Sequence, residues 1–250
     1  MKKILYASEK RTNYENFYAV CPYCGFENIY NRISDLRDTK PIDFKQVRCF
    51  NSNCEKTFNI NGDSVNAAYE MLIFDCYALK EQKRYSYCIL NLAQSFEVFL
   101  SLYCHISLIY RPFNSEQDSL DALNQLSAIL FNKIEKFTFS KLRNLFLHLI
   151  AKDINPKSLA ESKNIINNIP ALAQDPSNDL IESMTNSNLK DLLKKLKSVN
   201  VPNLRNKVVH KVAYRPTIKE VETSLSETRE IIFGLKHQLG IKGEDIVIYL

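Results

Sequence analysis

Apolar residues recur every three or four positions through most of the chain after residue 64, which is the spacing of one face of an α-helix. The pattern predicts helices near 64–83, 85–110, 115–132, 139–152, 156–168, 179–198, 202–213 and 217–239. Capping-box sequences start at Ser115 and Thr217, and Gly240 is placed to end the last long helix. We therefore expect a mainly α fold, a helical bundle, over residues 64–250.

The first 63 residues show a different pattern. Val47-Arg48-Cys49 and Thr57-Phe58-Asn59-Ile60 alternate polar and apolar side chains, as short strands do. Asn61-Gly62-Asp63-Ser64 combines a turn with a helix cap. We place a domain boundary there, between a small β-rich domain (1–63) and the bundle (64–250). Residues 245–250 alternate weakly and predict one further strand.

Composition favours a folded, mainly helical protein. Hydrophobic residues make up 45% of the chain, charged residues 24%, and glycine occurs only five times. The longest apolar stretch, 85–110, is interrupted by Asn91, Gln94, Glu97 and His105, so it predicts a buried helix and no membrane partner. Because no apolar signal segment follows Met1, we expect a cytoplasmic location.

Seven cysteines fall into two groups. Cys76, Cys88 and Cys104 are scattered through apolar helical sequence and are expected to be core thiols. The other four form two close pairs, in Cys21-Pro22-Tyr23-Cys24-Gly25 and in Cys49-Phe50-Asn51-Ser52-Asn53-Cys54, with 24 residues between the pairs. Four thiolates complete a closed tetrahedral shell around one ion.

The paired cysteines with flanking strands resemble the zinc-ribbon family. The resemblance implies a structural zinc held by Cys21, Cys24, Cys49 and Cys54, with no open position for catalysis. A domain this small needs such an ion to fold. The nearby aromatic side chains could stack on bases or cover the small core, so a nucleic-acid or a protein contact are both open here.

The predicted helix 85–110 carries a narrow polar stripe. At helical spacing, Gln94, Glu97, Ser101 and His105 lie on one side. A thin solvent-facing edge is one interpretation. The other is a cleft in which Glu97 supports a nearby arginine.

The segment Leu204-Arg205-Asn206-Lys207-Val208-Val209-His210-Lys211 carries the candidate chemistry. At helical spacing Val201, Leu204, Val208 and Val212 form a buried face, while Asn203, Asn206 and His210 lie on the opposite, open face. A permanently charged guanidinium and an imidazole are the groups needed to cleave RNA without a metal. One straight helix cannot easily aim both at one phosphate, so the spacing predicts a composite site in a homodimer.

The surrounding sequence is basic. Residues 190–215 contain eight Lys or Arg and one acidic residue, Asp191. Such a stripe would attract a nucleic-acid backbone, and Lys207, Lys211 and Arg215 are the candidate RNA-binding residues. A solvated cationic face is the structural alternative.

An Arg-Asn pair followed by a His, late in an all-α domain, resembles the active-site motif of the HEPN (higher eukaryotes and prokaryotes nucleotide-binding) superfamily. Arg205, Asn206 and His210 match the motif, and Val212–Thr217 followed by a long final helix is similar to the family's ending. The likeness covers roughly residues 65–240. It implies a dimeric, metal-independent ribonuclease of a toxin–antitoxin or antiviral system, although other members only bind.

A second copy of the motif complicates the assignment. Leu142-Arg143-Asn144-Leu145-Phe146-Leu147-His148 has the same spacing, and His148 again falls on the polar side of its helix. Its flanks are more apolar and less basic. We therefore prefer the later motif and keep Arg143, Asn144 and His148 as the alternative catalytic set.

The expected function is an endoribonuclease in which His210 moves protons and Arg205 holds the scissile phosphate. Asn206 is expected to orient the phosphate or to fix the histidine ring. Single-stranded RNA or tRNA is the expected substrate, and an antitoxin or defence protein is a possible partner. The alternatives are a non-catalytic zinc-ribbon and helical module that binds nucleic acid or protein, and a transcription accessory protein that binds DNA through residues 1–65.

Overall fold

The computed structural model of the protein describes residues 4–5, 15–31, 35, 45–60, 66–114, 117–241 and 248–249. The chain forms two compact units. The first, Met1–Met71 with Gly243–Leu250, is named the cysteine unit, and the second, Leu72–Lys242, is named the helical unit. The boundary expected at residues 63 and 64 lies outside the described residues.

The cysteine unit is built from short antiparallel strands. They are β1 (Ile4–Leu5), β2 (Glu15–Val20), β3 (Glu27–Asn31), β4 (Lys45–Arg48), β5 (Thr57–Ile60), β6 (Asn66–Ala67) and β7 (Ile248–Tyr249). The sheet orders are β3-β2-β6, β4-β5 and β1-β7. The strands predicted around Val47 and Phe58 are confirmed as β4 and β5, in which these two residues are directly paired.

A small core holds the two hairpins β2-β3 and β4-β5 together. Tyr30, Val47, Phe58 and Ile60 are buried in it, together with two of the paired cysteines. The hydroxyl of Tyr30 donates to the carbonyl of Arg48 at 2.8 Å and so links β3 to the end of β4. Few large apolar side chains contribute, which is the expected limit for a unit of this size.

The rest of the described chain is mostly helical. Its helices are α1 (Ala68–Glu81), α2 (Tyr85–His105) continued by a π-helical segment (Ile106–Tyr110), α3 (Leu120–Ile134), α4 (Phe139–Ala151), α5 (Leu159–Asn167), α6 (Ile169–Leu172), α7 (Asn178–Glu182), α8 (Ser187–Ser198), α9 (Val201–His210) and α10 (Ile218–Gln238). The predicted mainly helical fold with a small β region near the amino terminus is confirmed.

The helix boundaries agree better with the capping residues in the sequence than with the ranges predicted from the spacing of apolar residues. The capping box at Thr217 is formed with Glu220, and Gly240 follows the last helix with a φ of +61°. The box expected at residues 115–116 lies outside the described residues, and α3 is capped instead by Ser119. The single helix expected over 179–198 is two helices, because the chain between α7 and α8 re-caps at Asn186.

Helices α2 and α4 form the centre of the helical unit. α2 packs against α4, α9 and α10. Among the described residues, the stretch Tyr85–Tyr110 is the one helix long and apolar enough to cross a membrane, and 78% of its most apolar window is buried inside the protein. That burial is typical of a core helix, as predicted from its polar interruptions.

The three scattered cysteines are core thiols, as predicted. Cys76, Cys88 and Cys104 are each fully buried and free. The sulfur of Cys76 donates to the carbonyl of Cys88 at 3.5 Å, and the sulfur of Cys88 donates to the carbonyl of Cys76 at 3.8 Å. These contacts join α1 to α2.

Candidate functional site

The four paired cysteines converge on one point. Cys21 and Cys24 lie in the turn between β2 and β3, and Cys49 and Cys54 lie in the turn between β4 and β5. Their four sulfurs all lie within 4.8 Å of one another. The Cys21 and Cys54 sulfurs are 3.9 Å apart, and those of Cys24 and Cys49 are 3.7 Å apart.

These separations fit a tetrahedral metal site. With a metal–sulfur distance of about 2.3 Å, the edge of a tetrahedron is about 3.8 Å, which is close to the distances between these sulfurs. All four thiols are free. Their sulfurs lie too far apart for a disulfide bond, in which the two sulfurs are about 2.0 Å apart. The cluster can therefore hold a metal ion.

Backbone amides support the ionised form of the ligands. Burial opposes ionisation of Cys21, but amides of Tyr23 and Cys24 donate to its sulfur, and its pKa falls to about 7. At Cys54 the amide of Lys56 favours the thiolate, yet burial and the neighbouring sulfurs outweigh it and raise the pKa to about 11. A cation placed among the sulfurs would lower such a raised pKa.

Asn28 ties the two cysteine turns together. Its buried amide nitrogen donates to the carbonyl of Phe26 at 2.9 Å, and its oxygen accepts from the amide of Phe50 at 2.7 Å. Asn28 could not be predicted from the sequence, because a single asparagine in a strand pattern carries no signal of a cross-hairpin contact. Its effect is to fix the turn carrying Cys24 relative to the turn carrying Cys49.

Aromatic side chains surround the cluster in two different ways. Tyr30 is buried in the core and packs against Phe50, with ring centroids 4.8 Å apart. Tyr23, Phe26 and Phe50 are largely exposed, and the ammonium of Lys56 lies 4.9 Å from the Tyr23 ring centre. Tyr30 therefore covers the small core, whereas Tyr23, Phe26 and Phe50 keep much of their surface in solvent.

The late Arg-Asn…His motif occupies the exposed side of α9. Val201 and Leu204 are buried against the helical unit, whereas Asn206 and His210 are exposed. The guanidinium of Arg205 donates to the side-chain oxygen of Asn206 at 3.2 Å. The outward placement of His210 predicted from helical spacing is confirmed.

The end of α9 differs from the prediction. The helix ends at His210, and the chain reverses at Ala213, which has a φ of +61°. Val212, expected on the buried face, is 99% exposed because it lies beyond the helix end. With Val209, which is 49% exposed, it forms an apolar flank beside His210.

Glu97 of α2 lies near Arg205. Burial raises the pKa of Glu97, and the positive charge of Arg205 opposes that shift. Glu97 is therefore half-buried beside α9, whereas Gln94 of the same polar stripe is exposed. His105, expected on the same stripe, is buried instead, and its ring nitrogen Nδ1 contacts the carbonyl of Ser101 at 3.0 Å.

The segment after α9 is anchored to α10. The hydroxyl of Tyr214 donates to the carboxylate of Glu220 at 2.7 Å, and the Lys207 ammonium lies 5.7 Å from the Tyr214 ring centre. Burial, together with Glu220, raises the pKa of Tyr214 to about 12. These contacts fix the path of the chain past His210 and place Arg215 on the surface.

The basic stripe is not uniform. Lys194 pairs with Glu182 at 2.6 Å, Lys195 pairs with Glu230, and Lys197 pairs with Asp175 at 3.4 Å. Within the described part of the chain, five cations of the stripe make no ion pair: Lys190, which donates to the carbonyl of Glu182 at 3.3 Å, and Arg205, Lys207, Lys211 and Arg215. The positive charge that remains available is thus concentrated at α9 and the segment after it.

The earlier Arg-Asn…His motif lies in the interior. Asn144 and His148 are each 7% exposed, so the expected placement of His148 on a polar face is wrong. Other elements of the helical unit also cover the side of α4 that carries Asn144 and His148. The apolar periodicity of a single helix does not predict such coverage. Arg143 donates to the carbonyl of Lys197 at 2.8 Å, and His148 Nδ1 contacts the carbonyl of Asn144 at 3.1 Å.

No family model, curated protein or solved structure matches the chain. The site must therefore be interpreted from its own geometry.

Proposed function

We propose that the protein is a metal-independent endoribonuclease of the toxin or antiviral-defence type, with a helical unit similar to the HEPN superfamily. The observation that carries the proposal is the arrangement on α9. Arg205 is half-buried and Asn206 and His210 are exposed, among cations that form no ion pair with a described carboxylate. Arg143, Asn144 and His148 are engaged in the interior, so the later motif is the catalytic set we favour.

In the proposed reaction, His210 accepts the proton of a ribose 2′-hydroxyl, and the 2′-oxygen forms a bond to phosphorus. The bond between phosphorus and the 5′-oxygen breaks, and the leaving oxygen takes a proton from His210 of the partner subunit. Arg205 binds the non-bridging oxygens and stabilises their growing negative charge. Asn206 holds the guanidinium in place through its side-chain oxygen. The products are a 2′,3′-cyclic phosphate and a 5′-hydroxyl.

The apolar flank of Val209 and Val212 supports a homodimer. Covering these two exposed valines with another surface would contribute about 25 cal/mol for each Å² of apolar area removed from water. A second copy of α9 would cover this flank and bring the second histidine to the same phosphate. Sedimentation should show a dimer, and Val212→Asp should convert it to an inactive monomer. Ile129→Asp, at an exposed position of α3, is the matched control and should remain dimeric.

We further propose that the cysteine unit is a zinc ribbon with one structural zinc. The four sulfurs leave no ligand position free, so the ion would supply folding energy to the unit and take no part in cleavage. A cytoplasmic location agrees with four free thiols, since a reducing compartment keeps them available for the metal.

A non-catalytic nucleic-acid-binding module is the second candidate. Exposed Tyr23, Phe26 and Phe50, with Lys56 beside the first ring, favour it, because aromatics and cations together bind single strands. In that case the protein would bind RNA without cutting it.

A cleavage assay with purified full-length protein separates the two functions. A 5′-labelled single-stranded RNA should yield fragments ending in a 2′,3′-cyclic phosphate, which mass spectrometry identifies. The reaction contains a chelator that is too weak to remove a metal ion from the four cysteines. An all-deoxy strand of the same sequence should remain intact because it lacks the nucleophile. Cleavage of the deoxy strand, or RNA binding with no cleavage by the wild type, would refute the nuclease.

A further inference from the structure

A groove of about 600 Å³ crosses the helical unit beside α9. It is formed by the turn between α1 and α2, the first turns of α2, Val208 of α9 and the segment after α9. Its volume lies within the range of about 300–1,000 Å³ that is usual for ligand sites. The groove could not be predicted from the sequence, since its walls come from distant parts of the chain.

The charge of the groove is positive. Lys83, Arg84 and Arg215 line it, and in the described ranges no carboxylate forms an ion pair with any of them. Among the described residues, the hydrogen-bond acceptor of the Arg215 guanidinium is the neighbouring carbonyl of Tyr214, at 3.1 Å. Three cations around one concavity, none of them in an ion pair with a carboxylate that the structure describes, favour an anionic occupant.

The groove also presents an aromatic surface. Tyr87 is 61% exposed and lines the groove next to the cations. Tyr85, two positions earlier in the chain, also lines the groove. An exposed ring beside cations suits a ligand that has both flat bases and phosphates, because stacking requires a ring face and the backbone requires positive charge. A simple inorganic anion would gain nothing from the ring.

We propose that this groove holds a nucleotide of the single-stranded RNA that enters the α9 site. Tyr87 stacks on the base, and Lys83, Arg84 and Arg215 bind the flanking phosphates. Arg215 follows the catalytic helix and lines the groove, so it joins the groove to the site of cleavage. The inference rests on the proposed function for the choice of RNA as the ligand, and it assigns Tyr87 as a positioning residue.

The test measures binding separately from cleavage. Full-length His210→Ala protein, which keeps the RNA intact, is titrated with a fluorescent 12-nucleotide single-stranded RNA at several salt concentrations. Adding Tyr87→Ala should weaken binding by about 5- to 100-fold, and Tyr87→Phe should preserve it. Lys83→Ala and Arg84→Ala should each reduce the salt dependence of log K by roughly 0.7, the value for one phosphate contact on a single strand.

Matched variants outside the groove provide the controls. Tyr77→Ala removes a partly exposed ring of α1, and Lys163→Ala removes an exposed cation of α5, and both should bind like the parent. Thermal melts of Tyr87→Ala should equal those of the parent, since the ring is mostly in solvent. A duplex RNA of the same length should bind with little dependence on Tyr87, because its bases are already stacked.

Several results would overturn the groove assignment. One is a parent that binds no RNA, and another is unchanged affinity in Tyr87→Ala and the two cation variants. A third is competition by adenosine monophosphate at the affinity of the 12-mer, which would make the groove a mononucleotide site. If the wild type cleaves RNA while the groove variants bind normally, only the groove inference fails. If the wild type does not cleave but Tyr87→Ala binds weakly, only the nuclease fails.

Discussion

Burial raises the pKa of Glu97 on α2, and the guanidinium of Arg205 on α9 lies near enough to oppose that shift. The two residues lie 108 positions apart in the chain. The acid has a raised pKa in the folded protein, so its ionised form is less favourable there than in the unfolded chain. In the proposed site, we expect Glu97 to position Arg205.

Glu97→Gln should therefore increase stability at neutral pH. The cost of the ionised acid is present above its folded pKa and is lost as the pH falls through the ordinary value of 4.5. Thermal melts should show a higher Tm for the variant at pH 7 and equal Tm values well below pH 4.5. Cleavage should fall by up to about fivefold, the effect of one charged neighbour worth about 1 kcal/mol. Equal cleavage by the variant and the wild type would remove Glu97 from the site.

The two histidines should respond oppositely to truncation. His210→Ala should lower cleavage by about 100- to 10,000-fold with little change in Tm, because the ring is exposed and acts in proton transfer. His148→Ala should destabilise the fold by about 1–3 kcal/mol, because a buried hydrogen-bonded ring is lost. Its cleavage per folded molecule should be retained. If His148→Ala abolishes cleavage without unfolding the protein and His210→Ala leaves cleavage unchanged, the earlier motif is the catalytic one.

Metal affinity of the cysteine unit should decrease as the pH falls. Cys54, with a pKa of about 11, must release its proton when the ion binds, whereas Cys21, at about 7, is already partly ionised at neutral pH. Competition with a chromophoric chelator between pH 6 and pH 8 should show the trend, and elemental analysis should give one zinc per chain. Cys24→Ser should lose the ion, while far-UV circular dichroism retains the signal of the helical unit. A metal-free protein with an unchanged melt would contradict the structural role.

Gly25 and Glu55 offer a matched test of backbone conformation. Each follows the second cysteine of its pair, and each has a left-handed φ, +71° and +49° respectively. Gly25→Ala should cost about 1 kcal/mol, and space is not the reason, since an added Cβ would meet nothing within 4 Å. Glu55→Gly should stabilise the unit or leave it unchanged, because it relieves the same strain and loses only an exposed ion pair with Arg48. Chelator-induced unfolding measures both, and equal effects of the two variants would refute the explanation.

Local chemistry was the part of the fold that the sequence predicted well. The spacing of the four cysteines predicted their convergence, and the Thr217 box and Gly240 predicted the limits of α10. These signals act over a few residues and do not depend on what packs nearby. Helical spacing likewise placed Val201, Leu204 and His210 of α9 correctly.

Tertiary packing accounts for what could not be predicted. Helical spacing predicted an open face for both His210 and His148. α4 is surrounded by other elements, however, and His148 contacts a backbone carbonyl inside the protein. The sequence predicts that the lysines of α8 are free to bind an anion, but the fold places Glu182 and Glu230 beside them as ion-pair partners. Neither the enclosure of a helix nor the neutralisation of a charge is encoded in a short stretch of chain.

The π-helical segment Ile106–Tyr110 determines the direction in which the polypeptide leaves the centre of the helical unit. Its wider turn, in which the amide of Arg111 donates to the carbonyl of Ile106 at 3.0 Å, accommodates one residue more than an α-turn would. Deleting a single residue there would allow ordinary winding to continue and would rotate Arg111 by about 100° around the axis. Its guanidinium would then leave the carbonyl of Leu239, now 3.4 Å away, and the exit toward α3 would point elsewhere. The orientation of the following hairpin of helices is thus fixed by one inserted position.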